Sequence, residues 1–266
     1  MGNSLDKKRP KARYFIAFFV LTSLCVLAFI NIDNFLALYR AIFFDALRYR
    51  NPAMLGDYDE IYHYTFEPET IRASVEQGKK GLFQPIPDYV NDNIYPLGFF
   101  SWRQQDYLKI ADALYQFAYS DTLKSWKLYR WHFEKNCGDN PVGFNSADIV
   151  YFNSSTGEHT QIVIEPLAKE ADWGKNDRFE SPSFWGWKSI NPTQIKITAD
   201  DALQIAETHN GKEVGLAIQN RCYISIYLFA DTNLWEVNYY GDSFENVFEM
   251  TIDPYYGNYK IITQRK

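Results

Sequence analysis

The chain has 266 residues, a formal net charge of -6 and 46% apolar residues, and its 20 Tyr, 20 Phe and 7 Trp make it rich in aromatics. With only 14 Gly and 11 Pro it is neither collagen-like nor low-complexity, and its apolar content beside 23% charged residues excludes a wholly disordered chain. The length admits one large domain or two small ones, each able to bury a core.

Residues 1–13 form a basic tail carrying Lys7, Lys8, Arg9, Lys11 and Arg13, and residues 14–32, Tyr14 to Ile32, carry no charge. At 1.5 Å per helical residue that run spans about 28 Å, close to the hydrocarbon core of a bilayer, and it predicts a transmembrane helix. No cleavage site with small residues follows Leu27, and Leu24 stands where a lipoprotein signal needs a small residue before Cys25. An uncleaved anchor is therefore expected. Five Lys/Arg precede the span and three (Arg40, Arg48, Arg50) follow it closely, which puts the N-terminus in the cytoplasm and the body outside the plasma membrane. The first fifty residues hold 8 Lys/Arg against 3 Asp/Glu, net +5, and the remaining 216 hold 19 against 30, net -11. So acidic a body argues against nucleic acid as a partner.

Residues 33–50 read as an amphipathic stalk helix, with Leu36, Tyr39, Phe43 and Leu47 at helical spacing; a helix lying on the membrane surface is the alternative. Asn51-Pro52 ends it. Residues 51–100 are turn-rich, with room for one short helix at about 68–77. Two units of like order follow, which defines an α+β fold class of two helix-on-antiparallel-sheet units.

In the first unit, 101–170, a helix over Gln104–Tyr119 places Tyr107, Ile110, Ala111, Leu114 and Ala118 on one face. Strands are expected at Trp126–Phe133, Asp148–Phe152 and Thr160–Ile164, the last two joined by a hairpin at Asn153–Gly157. An aromatic-rich connection occupies 171–194. In the second unit, 195–266, Thr198-Ala-Asp-Asp201 has the form of a capping box, Ala199, Ala202, Leu203 and Ala206 face inward, and Asn210-Gly211 supplies a stop. Strands are expected at Val214–Ile218, Cys222–Leu228, Leu234–Tyr239, Val247–Ile252 and Tyr259–Ile262. Leu108-Lys-Ile110-Ala111 and Leu203-Gln-Ile205-Ala206 share a pattern, so the units are read as a degenerate duplication.

The run Ile197-Thr-Ala-Asp-Asp-Ala-Leu-Gln-Ile-Ala206, the aromatic-x-Val at Trp235-Glu-Val237 and the closing hairpin Asp253-Pro-Tyr-Tyr-Gly257 together resemble a PepSY-type domain. Tyr256 stands where that family usually has threonine, and the stretch from Gly215 to Phe229 is longer than its usual connection. The resemblance covers about 70 residues. It implies a helix packed on a small antiparallel sheet and a non-catalytic module outside the cytoplasmic membrane, of a family some of whose members restrain peptidases, so that a protein such as a peptidase is the expected kind of partner.

Four histidines occur, His63, His132, His159 and His209, no two at metal-ligand spacing, and Cys-x-x-Cys, Gly-x-Ser-x-Gly and phosphate-loop motifs are absent. No metal or cofactor is expected, and no catalytic residue. His132 reads as a packed or surface imidazole, and His63 as part of a solvated loop. Cys137 and Cys222 are the two cysteines beyond the anchor; an oxidising compartment favours a disulfide between them, and two isolated thiols are the alternative. Trp173, Phe184, Trp185 and Trp187 gather in the connection without periodicity. They read either as a surface that stacks on a sugar or clasps a peptide, or as rings plugging the seam between units. The functional expectation is a membrane-anchored extracytoplasmic binding or regulatory module. An envelope enzyme or glycan-binding protein using 173–187, and a structural subunit of a membrane complex, are the competing readings.

Overall fold

Alternation of buried and half-exposed residues along successive segments of the chain produces a sheet of ten strands, every pairing in it antiparallel. The computed structural model describes residues 60–87, 100, 102–119, 126–137, 143–153, 158–176, 188–218, 222–241 and 245–264, all within a single unit, Leu55–Lys266. The expected anchor at 14–32, the stalk at 33–50 and Phe184, Trp185 and Trp187 lie outside the described residues. Among the described residues no helix is long and apolar enough to cross a membrane.

In chain order the elements are β1 (Glu60–Thr65), α1 (Pro68–Glu76), β2 (Gln84–Pro85), α2 (Gln104–Tyr119), β3 (Lys127–Asn136), β4 (Ser146–Phe152), β5 (His159–Glu165) and β6 (Glu170–Asn176). They continue with α3 (Ala199–Ala206), α4 (Lys212–Ala217), β7 (Tyr223–Phe229), β8 (Trp235–Tyr240), β9 (Asn246–Ile252) and β10 (Tyr259–Gln264). The strand order is β10-β9-β8-β7-β3-β4-β5-β6-β1-β2. Two meanders, β3 to β6 and β7 to β10, each preceded by helix, thus meet along their first strands.

That junction corrects the expectation of two separate sheets. β3 pairs with β7 from Arg130↔Phe229 to Asn136↔Tyr223. One step further the Cys137 amide donates to the Cys222 carbonyl at 2.8 Å, and the two side chains are joined as a disulfide with Cα atoms 5.0 Å apart. Periodicity marks where strands lie but not which first strands pair, and an open edge on either meander would leave a row of amides and carbonyls unpaired.

One face of the sheet carries the helices and the core. Across it run Ala171, Ile164, Ala147, Phe133, Ile226, Val237 and Met250, every one buried, with Trp173, Ile162, Ile149, Trp131, Leu228, Trp235 and Ile252 in the adjoining row. The expected interior positions Trp235, Val237, Met250 and Ile252 are all fully buried. α2 lays Tyr107, Ile110, Ala111 and Leu114 on this surface, and the Tyr107 hydroxyl donates to the Phe144 carbonyl at 2.7 Å. α3 buries Ala199, Ala202, Leu203 and Ala206. Its N-terminus has the expected capping box: the Thr198 hydroxyl accepts from the Asp201 amide at 3.2 Å, and Asp201 Oδ2 accepts from the Thr198 amide at 2.9 Å.

The two helix starts also cap each other. The Gln104 amide donates to Asp200 Oδ2 at 3.1 Å, and Gln104 Oε1 accepts from the Ala199 amide at 2.7 Å. Two positive helix ends brought together repel, and Asp200 supplies both the acceptor and the negative charge that offset this. The turn at the last hairpin is as expected: Asp253 Oδ1 accepts from the amides of Tyr255 and Tyr256, and Gly257 takes φ +74°.

Several elements differ from expectation. β1 and β2 occupy the region read as turn-rich, and β6 occupies the start of the region read as a connection. Val214–Ile218 is not a strand but lies on α4 and its end. Asn210-Gly211 does not stop the helix; Asn210 turns at φ +77° and the chain resumes as α4. A short apolar run does not distinguish helix from strand, and Leu216 is 59% exposed, so the alternation there marks no sheet face. Gly211 fits because a Cβ would lie 2.8 Å from both the Ala206 carbonyl oxygen and the Tyr239 hydroxyl.

Gly211→Ala is therefore expected to lower stability by about 1–3 kcal/mol, through overpacking against β8. A reduced midpoint in urea unfolding at unchanged slope checks it. Replacing Cys137 and Cys222 together by Ser is expected to cost about 2–4 kcal/mol. Peptide mapping with and without reductant tests the bond itself, and free thiols on both cysteines would refute it.

Candidate binding face

The sheet face opposite the helices is built from the residues that alternate with the core. β3 contributes Arg130, His132 and Glu134; β4 Ser146 and Asp148; β5 Gln161, Val163 and Glu165; β6 Glu170 and Asp172; β1 His63; β7 Tyr223, Ser225 and Tyr227. An outward sheet face is commonly solvated and simple. Here Arg130, Gln161, Asp172 and Ser225 are buried.

At the seam, Arg130 Nη2 donates to Asp148 Oδ2 in a close ion pair. His132 Nε2 lies 2.8 Å from Ser225 Oγ and 3.3 Å from Glu134 Oε1, and its Nδ1 lies 3.9 Å from Asp148 Oδ2. The imidazole stacks on Tyr227 with ring centroids 4.0 Å apart and planes 11° from parallel. Glu134 accepts from the Tyr223 hydroxyl at 2.8 Å and from Ser146 Oγ at 3.1 Å. Burial pushes the Asp148 carboxyl upward, but the Arg130 charge, with His132 and Gln161, outweighs it and holds the group below the ordinary carboxylate range.

Two strands away, His63 Nδ1 pairs with Asp172 Oδ1 at 2.8 Å. His63 is thus a strand residue with a carboxylate partner, not part of a solvated loop. Burial raises the Asp172 carboxyl, against the pull of His63. Glu165 is pushed up to about 7 by burial and by the like charges of Asp172, Glu134 and Glu170. Two buried acceptors on this face, Asp148 Oδ1 and Gln161 Oε1, have no hydrogen-bond partner among the described residues.

Ser225, His132 and Asp148 stand in the order of a hydrolytic triad, but the surroundings do not support that chemistry. Ser225 is fully buried in the middle of β7, paired on one side with Glu134 and on the other with Asn238. An acyl transfer needs a reachable oxygen and amide donors aimed at a developing oxyanion, and amides in a ladder paired on both sides are committed. Asp148 is engaged by Arg130, and its 3.9 Å separation from the imidazole exceeds a hydrogen bond. The array orients the imidazole. Among the described residues no group of three or more His, Cys, Asp or Glu is arranged to hold a metal ion.

Of the aromatic residues singled out from the sequence, Trp173 lies in β6, 4% exposed and stacked with Tyr62 at 5.0 Å, on the core side of the sheet. It is a packing residue there and not a ring offered to a ligand; a period-two run beginning at Glu170 was hidden by the glycine and charges that follow it. Phe184, Trp185 and Trp187 lie outside the described residues. Sequence reasoning passed over Arg130, Asp148, Gln161 and Glu165. The one signal they left was a charged or polar residue at most alternate positions of strands whose other side is largely apolar.

No protein-family model matches the chain, and no curated protein is similar to it. Among solved structures, a crystal structure of a provisionally assigned lipoprotein from Clostridium difficile 630 is similar with a TM-score of 0.37 and 16% identity, over 62% of this chain and 95% of that one. So distant a likeness establishes neither a shared fold nor a shared function.

The electrostatics of Glu165 yield a stability test. Below its ordinary value of 4.5 the group is protonated in folded and unfolded chain alike. As pH rises the unfolded chain ionises first, so stability is lost progressively until pH passes about 7. Glu165→Gln is expected to raise stability at pH 8 by up to about 3 kcal/mol and to change it little at pH 4. Urea unfolding at the two pH values measures the difference.

Proposed function

We propose that the chain is a membrane-anchored extracytoplasmic binding module that recognises its ligand on the open sheet face and has no catalytic step of its own. The observation that carries this reading is the pair of buried, partnerless acceptors on Asp148 and Gln161 within a surplus of carboxylates. Such groups are costly to bury without a donor, and a ligand that supplies one recovers the cost. The enclosed Ser225 argues for recognition over turnover. The uncharged run 14–32 behind a basic tail supports the anchor, and a Cys137–Cys222 disulfide fits an oxidising compartment.

A regulatory role toward an envelope peptidase is the protein-level form of this reading, supported by the resemblance of 195–266 to PepSY-type modules. The mirrored order of the two meanders and the reciprocal capping of their helices support an ancient duplication as the origin of the body.

Placement is tested first. A reporter that works only outside the cytoplasm, fused after Lys266 and expressed in a bacterial host, is expected to be active. Deletion of 14–32 is expected to abolish retention in carbonate-washed membranes. An inactive reporter with the body shielded from external protease would overturn the placement.

A further inference from the structure

The open face has a centre at Val163. This half-buried residue pairs with Asp148 on one side and Asp172 on the other, while Gln161 and Glu165 flank it along β5 on the same face. An apolar floor is thus ringed by three carboxylates and an amide. Beyond the ring stand Glu134 and Ser146 toward the seam, Glu170 on β6, and His63 on β1 paired to Asp172.

Resting on the binding-module reading, we infer that this ring is a site for an organic cation, an alkylammonium or guanidinium group whose N–H donors fill the free acceptors of Asp148 and Gln161 above Val163. Carboxylates alone would not define a site. The independent observation is Gln161: its side chain belongs to a residue only 3% exposed, its amide reaches Asp148, and its Oε1 is without a donor. Asp148 Oδ1 and Gln161 Oε1 are both acceptors, so a ligand that serves them is a donor.

Size selects among cations. Adjacent strands lie about 4.8 Å apart, so the Asp148 and Asp172 backbones are separated by roughly 10 Å across Val163. Among the described residues no group of three or more His, Cys, Asp or Glu is arranged to hold a metal ion. A planar guanidinium or an ammonium with several donors bridges such a gap. Arg130 is engaged by Asp148 Oδ2 on the β3 side, which leaves Oδ1 for the ligand and biases a second cation toward β5 and β6. Access is from the seam, where the Glu134 side chain is 36% exposed, and there the stacked Tyr227 and Phe229 rings offer an apolar surface for the stem of the cation.

A bound cation favours the ionised forms of Glu165 and Asp172, both raised by burial, over their protonated forms. Binding therefore releases protons near pH 7, and affinity rises with pH. The other charged or titratable groups facing the ring are Arg130, His132 and Glu134 on β3, Glu170 on β6 and His63 on β1.

The experiment uses the full chain in detergent micelles and titration calorimetry at pH 6, 7 and 8, each in two buffers of different ionisation enthalpy. Agmatine is the free cation, acetyl-Gly-Gly-Arg-Gly-Gly-amide is the peptide cation, and the same peptide with citrulline is the neutral isostere. At least one cation is expected to bind at least tenfold more tightly than the citrulline peptide, with proton release at pH 7 and a several-fold gain in affinity from pH 6 to 8. Tight agmatine binding assigns the site to a small molecule, and binding of the peptide alone assigns it to a protein side chain. Glu165→Gln, which is expected to fold at least as well as the natural chain, is expected to remove most of the pH dependence. Gln161→Leu is expected to weaken binding at least tenfold, with circular dichroism checking its fold. Equal binding of citrulline and arginine peptides, or no binding of either cation, overturns the cation assignment. An acetylated Gly-Gly-Glu-Gly-Gly-amide and a chitin oligosaccharide are titrated alongside. If one of these binds while the cations do not, the cation site is refuted and the binding module stands; if none of the probes binds, the cation site is refuted and the binding-module reading loses its support.

Discussion

The pairing of β3 with β7 is the constraint on which the rest of the body depends. It turns two four-stranded meanders into one sheet, and it fixes the register of everything on either side of that sheet. On the helix face it aligns Phe133 with Ile226 and Trp131 with Leu228, so the hydrophobic core runs unbroken across the junction. On the other face the same register sets His132 against Tyr227 and Glu134 against Ser225. A shift of one residue would exchange the two faces and bury the charges of β3 among the helices. The Cys137–Cys222 bond lies at the end of this ladder, where it closes a loop of sequence separation 85 and holds the register at the point most exposed to fraying.

The seam also explains why polar chemistry collects where it does. A strand in the middle of a wide sheet is shielded by neighbours on both sides, so side chains on its open face lose solvent even without a second layer of secondary structure. Arg130 and Asp148 meet that loss by pairing, and His132 by stacking and hydrogen bonding. Glu165 meets it by retaining its proton more readily. The helices reach a parallel solution on the other side, where each relieves the amides at the start of the other through Gln104 and Asp200.

Much of the body was legible in the sequence where a single local pattern decides the outcome. The α2 face, the Thr198–Asp201 capping box, the Asp253–Gly257 turn and the strands around Trp235 and Met250 each follow from spacing or cap chemistry within a few residues. What was not legible depends on contacts far apart in the chain. β1 was concealed by surrounding turn residues and is held by β6, more than a hundred residues away. The kink at Asn210-Gly211 resembles a stop until Tyr239 is seen to fill the space beside Gly211. The ring around Val163 draws on β4, β5 and β6, and in sequence its members are ordinary alternating polar residues. No reading of one strand at a time would assemble them.

The reciprocal helix caps bear on how such a chain matures. Synthesis delivers the first meander before the second. Until β7 emerges, β3 is an uncovered edge, and the amides at the start of α2 lack Asp200. The early half is thus a sticky intermediate whose exposed hydrogen-bonding groups match those of another copy as well as those of its own second half.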